Sequence, residues 1–252
     1  MAGTNKTEAL MQGGPAVILV NPQLGQNIGM VARAMLNCGL TELRLVAPRD
    51  GWPNPDAEAS AAGATLVLEE AKVFPTTGEA VADLQRVYAT TARARGMTKV
   101  VETPRAAIGG MRAVSAKGQS VGVLFGPERA GLKNDDIALA DTILEVPLNP
   151  GFSSLNLAQA VLLVGYEWFQ AADETPASEL VLNSTRPATK GELINFFQRL
   201  EKALEDSGFL YPPEKTPIMV RNIRNMFQRA DLTEQEVNTL HGIISALWEK
   251  RR

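Results

Sequence analysis

AVILVNPQLGQNIGMVAR, residues 16–33, governs how the rest of the chain is read. Its first five residues, Ala16 to Val20, are all apolar, three are β-branched, and the run stops at Asn21-Pro22, which is the length and ending of a strand. A strand with one wet face alternates apolar and polar residues. One that is apolar at every position is covered on both faces, as in a parallel sheet between helical layers. Gly25 and Gly29 allow tight backbone turns, Asn27 is a candidate helix cap, and Arg33 falls one to two turns inside the helix that follows. Strand, loop and helix in that order form a βα unit, and open α/β sheets bind ligands in such loops, beyond the carboxyl ends of their strands.

Similar runs recur at Leu43–Ala47, Thr65–Leu68, Arg86–Thr90, Val121–Phe125 and Ile143–Pro147, with helix-compatible segments between most of them. The expected fold class is α/β, with a mostly parallel sheet in a three-layer α/β/α domain. Its last helix is expected to be capped by Ser153 and Ser154 and to bury Leu157, Ala160, Val161, Val164 and Trp168 at helical spacing. Residues 172–189, with Pro176 and Pro187, break the periodicity and read as a linker. Beyond them Thr189 with Glu192 and Thr233 with Glu236 have the spacing of capping boxes, and Ile218–Gln228 suits a third helix. The expected organisation is a tail (1–15), a main domain (16–171), the linker (172–189) and a small helical extension (190–252). Three such helices are marginal in isolation, so they are expected to pack together or on the main domain.

With 252 residues, 45% of them apolar and 21% charged, the chain has material for a substantial core, which excludes disorder. No apolar run of about 18 residues exists to cross a bilayer, and the first 15 residues lack a secretory pattern, so a cytoplasmic protein with no membrane partner is expected. A single cysteine, Cys38, forbids an internal disulfide and reads as a small helix-packing residue. The lone His241 reads as structural, and together they leave no His/Cys cluster, so no metal is expected. A net charge of −3 argues against a histone-like polyanion binder and leaves room only for a local basic patch.

Two further loops follow strands. Phe125-Gly126-Pro127-Glu128-Arg129-Ala130-Gly131-Leu132 has glycines that allow close approach to a ligand, and charges that a turn does not need. Lys133 comes one residue late for a phosphate-binding P-loop, and no G-x-G-x-x-G follows the first strand. Val146-Pro147-Leu148-Asn149-Pro150-Gly151-Phe152-Ser153-Ser154-Leu155-Asn156-Leu157-Ala158 fixes a loop and places Ser-Ser where free helix N–H groups suit an electron-rich ligand. Taken singly, a surface arginine, a Gly-Pro turn and a plain helix cap explain the three loops equally well.

As an ordered set, N-P-x-x-x-x-N-I-G-x-x-x-R, F-G-x-E-x-x-G-L and V-P-x-x-x-x-x-S-S-L-N-L-A resemble the three motifs of the SPOUT class of RNA methyltransferases, in its SpoU or TrmH group. The resemblance covers about residues 15–170. Phe196–Gly208 and Ile223–Trp248 resemble the helical extension of members that methylate tRNA in the anticodon loop. It implies a deep trefoil knot in the C-terminal part of the sheet, a homodimer whose active site is shared between subunits, and S-adenosylmethionine as cofactor. The implied cofactor contacts are Thr90, Thr91, Ala92, Gly126, Val146, Ser153, Ser154 and Leu155. The implied catalytic set is Arg33, acting from the opposite subunit, with Asn27, Glu128, Ser154 and Asn156 in support.

A free arginine is a poor base, because its pKa exceeds about 12. Arg33 is therefore read as a clamp on the target nucleotide's phosphate, and Glu128 as a residue that holds either Arg33 or the loop. Arg93, Arg95, Lys99, Arg105, Arg112 and Lys117, against only Glu102, suggest a phosphate track, and Arg221 and Arg224 share a helical face with Gln228 that suits tRNA. The implied activity is 2′-O-methylation of tRNA, with cytidine and uridine at nucleotide 32 as target and no role for DNA. Ribosomal RNA or another tRNA position is the alternative substrate, and a non-catalytic RNA-binding protein on the same fold is the alternative class.

Overall fold

The computed structural model describes residues 7–91 and 96–249. The chain divides into two compact units, one ending at Thr175 and one beginning at Pro176.

The first unit holds seven strands: β1 (Ala16–Val20), β2 (Leu43–Val46), β3 (Lys72–Phe74), β4 (Arg86–Thr90), β5 (Val100–Glu102), β6 (Val121–Phe125) and β7 (Thr142–Leu144). They form one sheet in the order β3-β2-β1-β6-β4-β7-β5, with every pairing parallel. The helices are α1 (Gly25–Asn37), α2 (Pro55–Ser60), α3 (Thr65–Glu69), α4 (Thr77–Val81), α5 (Pro104–Ser115), α6 (Asn134–Ala138) and α7 (Leu157–Gln170). β1 shows why the opening run is apolar throughout. Val17 and Leu19 pack into one core with α1, α2, α3, α5 and α7, while Ala16, Ile18 and Val20 pack into the other with α4 and α6. The α/β three-layer expectation is met.

Several details differ from the sequence reading. Thr65–Leu68 is helix α3 and not a strand, with Val67 and Leu68 buried against the sheet. The strand of that region is β3, three residues later, and β5 had no counterpart in the reading. Helix α7 begins at Leu157 and is capped by Asn156, whose Oδ1 accepts from the Ala158 N–H at 2.8 Å while its own N–H donates to Gln159 Oε1 at 3.0 Å. Ser153 and Ser154 therefore lie in the loop and cap nothing. Gly25 and Gly29 lie inside α1 and make no turn. A Cβ on Gly29 would stand 2.1 Å from the Ala57 carbonyl, so the glycine is there to let α1 and α2 approach closely. Cys38 is buried beside Gly165 of α7, and burial pushes its thiol pKa up to about 11, as suits a packing residue.

The second unit holds α8 (Lys190–Asp206), α9 (Thr216–Gln228) and α10 (Glu234–Glu249). They pack on one another around Leu193, Phe196, Phe197 and Val237, and the Phe227 ring meets Phe196 edge-on at 4.9 Å. His241 also meets Phe196 edge-on, at 5.8 Å, in keeping with a structural role. Both capping boxes form: Thr189 Oγ1 accepts from the Glu192 N–H and Thr233 Oγ1 from the Glu236 N–H. Pro187 bridges to Thr233, which ties the approach to α8 onto the start of α10.

The Arg186 guanidinium, and after it the Thr189 N–H, hold the Glu192 carboxyl down to about 2, from an ordinary 4.5. A depressed carboxyl stabilises the folded form fully above 4.5, and that contribution is lost as pH falls from 4.5 toward 2. Thermal melts across that window are expected to decline less steeply for Glu192→Gln than for the wild type. Parallel declines would show that the pair contributes nothing.

Candidate active site

Strands β1, β6, β4 and β7 are consecutive neighbours, and the loops that follow them carry the three motifs and Thr90–Thr91. Segments more than a hundred residues apart in sequence thus meet at the carboxyl end of the sheet, by parallel pairing alone.

A hydrogen-bond chain joins the three motifs. Asn27, 5% exposed, donates through Nδ2 to Glu128 Oε1 at 2.7 Å and accepts from Asn156 Nδ2 at 3.1 Å. Glu128 Oε2 accepts the Gln23 N–H at 3.1 Å. Asn27 was read as the cap of α1, yet it sits in the first turn of that helix and caps nothing. The cap position is Leu24, which offers no side-chain bond. Within its own chain Glu128 holds the first-motif loop through Gln23 and Asn27, and it makes no bond to the Arg33 of that chain.

Beside this chain lies a cleft of about 270 Å³. Its lining includes Thr90, Thr91, Gly126, Glu128, Val146, Ser153, Ser154 and Leu155, so the expected cofactor residues among those described come together in one place. Ala92 lies outside the described residues, as do Arg93 and Arg95. Sequence reading had not assigned Leu144, Leu148 or Leu157 to the cleft, where they supply apolar wall, nor Arg129 and Leu132. A Cβ on Gly126 would stand 2.2 Å from the Leu132 nitrogen, so only glycine lets the second-motif loop fold back this closely. Thr90 is not free, since its hydroxyl donates to the Leu124 carbonyl at 2.9 Å. By contrast, the backbone N–H groups of Val146, Leu148, Ser154 and Leu155 and the two serine hydroxyls find no partner among the described residues. Apolar walls with unused backbone donors fit a nucleoside-type ligand held mainly by main chain.

Asn27, Arg33 and Asn156 do not line the cleft. Arg33 is exposed on α1, and its guanidinium has no hydrogen bond or ion pair among the described residues.

Of the described members of the supposed phosphate track, Lys99, Arg105 and Arg112 are committed to internal bonds. Lys99 is docked on the carbonyls of Ala138 and Ala140, and Arg105 pairs with Glu167 at 2.9 Å. Arg112 donates to the Trp168 carbonyl with its guanidinium 4.1 Å over that ring. In the second unit Arg224 is held by both Glu201 oxygens, at 2.6 and 2.8 Å, while Arg221 is exposed and bonds only the Pro217 carbonyl. Met226, on the same helix, is 52% exposed. No group of three or more His, Cys, Asp or Glu residues suited to a metal occurs among the described residues, and no described helix is long and apolar enough to cross a membrane.

A parallel sheet whose β4, β6 and β7 loops line a cleft, with the β1 loop tied beside it through Glu128, is the arrangement of a SpoU-type methylase. The SpoU rRNA Methylase family profile matches residues 14–166, more than half of the chain, and the chain belongs to that family. Residues 191–252 match the C-terminal domain of the tRNA methyltransferase TrmJ. The tRNA (cytidine/uridine/adenosine-2′-O-)-methyltransferase TrmJ of Pseudomonas aeruginosa is 36% identical over 238 residues, 91% of each chain. The crystal structure of TrmJ from Z. mobilis ZM4 superposes with a TM-score of 0.81 at 51% identity, over 93% of this chain and 99% of that one. A structure described by its insights into 2-OH methylation of C/U34 on tRNA gives 0.50 at 26% identity, over 62% of this chain and 93% of that one. The family resemblance carried by the three motifs is thus borne out.

Proposed function

We propose that this chain is an S-adenosylmethionine-dependent tRNA 2′-O-methyltransferase whose target is cytidine, and also uridine, at nucleotide 32 of the anticodon loop. The observation that carries this reading is the Glu128–Asn27–Asn156 chain, which locks all three motif loops together beside a cleft with unused backbone donors. Thr90, Thr91, Ala92, Gly126, Val146, Ser153, Ser154 and Leu155 would hold the cofactor. Bound there, the cofactor supplies an electrophilic methyl group on sulfur. The ribose oxygen would take that methyl group, the cofactor would leave as a neutral thioether, and the hydroxyl proton would pass to solvent water.

Arg33 orients that hydroxyl by gripping the neighbouring phosphate, because positioning is the main demand of an in-line transfer. Its absence from the cleft of its own chain and its free guanidinium support action across a homodimer. Glu128, Asn27 and Asn156 are positioning residues that hold the loops. Ser154, with a free hydroxyl at the cleft, contacts the reacting groups. The knot belongs to the same reading, supported by the insertion of β7 between β4 and β5. Arg93, Arg95 and Arg221 extend the RNA contact, and Arg224 contributes through the helix it braces against Glu201. The C/U34 neighbour favours a second reading, with the same chemistry at the wobble position.

The test is transfer of labelled methyl groups to unmodified tRNA by the purified protein, followed by mass mapping. A 2′-O-methyl mark at nucleotide 32 is expected. A mark at 34 would select the second reading, and labelled base or no label on any RNA would sink both.

A further inference from the structure

We propose that the rim of the cleft carries an anion site centred on Arg129, and that its ligand is a backbone phosphodiester of the RNA close to the ribose being methylated. The inference rests on the tRNA-methylation reading and adds a contact that reading does not contain.

The arginines of the first unit sort themselves by what holds them. Among the described residues, Arg44 is bound by Glu42 and Asp83, Arg49 by Asp50, Arg86 by Asp141, Arg105 by Glu167 and Arg112 by the Trp168 carbonyl. Arg33 and Arg129 have neither a hydrogen bond nor an ion pair. Of these two, Arg129 lines the cleft.

The loop that presents it is stiff. The Gly131 N–H donates to the Pro127 carbonyl at 2.8 Å, Gly126 lies against Leu132 with no room for a Cβ, and Leu132, 1% exposed, pins the far end. Glu128 and Arg129 are adjacent, yet their charges diverge. The carboxylate is turned inward, with one oxygen on Asn27 and the other on Gln23, while the guanidinium stands exposed at the turn. The carboxylate that could neutralise Arg129 by contact is thereby occupied, and all five of its N–H donors remain available.

A planar guanidinium fork matches two oxygens of a phosphate. At an exposed rim such a contact is open to a polyanion and screened by salt. The carboxylate of the cofactor is the competing anion, and the test separates the two.

Wild type, Arg129→Ala and Arg129→Lys would be compared for methyl transfer to tRNA, for filter binding of tRNA over a range of salt concentrations, for S-adenosylmethionine binding by calorimetry, and for melting temperature. For Arg129→Ala the expected result is a KM for tRNA raised about tenfold, a kcat within about twofold of wild type, and a slope of log affinity against log salt shallower by about one. Cofactor affinity and melting temperature should not move. Arg129→Lys should restore most of the slope and only part of the affinity, because the charge returns without the fork. An unchanged tRNA KM and slope would overturn the inference. So would a loss confined to cofactor binding, which would make this a carboxylate site, or a large drop in melting temperature, which would reveal a structural partner. If the wild type itself fails to methylate tRNA, the functional reading falls and this inference with it. If the wild type is active and Arg129→Ala matches it, the inference alone falls.

Discussion

Arg33→Ala is expected to lose methyl transfer by about a hundredfold or more, while S-adenosylmethionine affinity changes less than about threefold. The side chain is exposed and bonded to nothing described, so its removal leaves the fold unstrained. It does not line the cleft of its own chain, so the cofactor site is spared. What disappears is the alignment of the ribose oxygen, and misorientation alone costs about two orders of magnitude. Single-turnover transfer and calorimetry read the two effects separately, and equal losses in both would refute the assigned role. Arg33→Lys should fall between, since an ammonium keeps the charge and loses the fork. Mixing Arg33→Ala with a chain whose cleft is blocked, such as Leu155→Arg, should restore activity through mixed dimers. No restoration would argue that both residues serve the same subunit.

Asn27→Asp is expected to be as damaging by a different route. The shape is unchanged, but a donor 2.7 Å from Glu128 becomes a second carboxylate in a buried position. Two such groups in contact cannot both stay ionised, so one takes up a proton or the loops separate. The loss of stability at pH 8 should be about 1–3 kcal/mol, the range for a broken buried hydrogen bond to a charged group. Transfer should drop about a hundredfold as the first and second motifs come apart. The pH dependence carries the signature. The shared proton binds more tightly when the loops are closed, so the variant gains stability relative to wild type as pH falls and one carboxyl becomes an O–H donor again. Melting curves from pH 5 to 8 test this, and a variant that melts like wild type at pH 8 would show that the contact does not bind the loops.

Much of the main sheet could be read from the chain itself, because β1 and β6 are buried on both faces and carry no polar side chain, and β2 departs from that pattern only at Arg44, which Glu42 and Asp83 neutralise. The misreadings have equally physical causes. Thr-Leu-Val-Leu at 65–68 is too short for periodicity to tell strand from helix. Lys72–Phe74 and Val100–Glu102 are three-residue strands at the two edges, mostly exposed, and two apolar residues each are too few to make a recognisable run. At the site, the motifs named the right loops but not the partners. Asn27 and Asn156 are both capping residue types, and only the fold shows that one caps α7 while the other has been turned to join Glu128. The basic residues show a similar limit: Arg105 is paired with Glu167 and Arg112 is held by the Trp168 carbonyl, 62 and 56 positions away, contacts that local charge counting cannot see.

Strand β5 pairs with β7 and with no other strand, and some forty residues separate them. On the ribosome, Val100–Glu102 therefore waits without a neighbour until Thr142–Leu144 has left the exit tunnel. Leu144 emerges with that strand and the walls contributed by Val146 and Leu155 arrive later still, so the pocket is among the last features of its unit to exist during synthesis. A polypeptide released early, even with β1 to β6 complete, would carry two of the three signature loops and nowhere to seat a methyl donor.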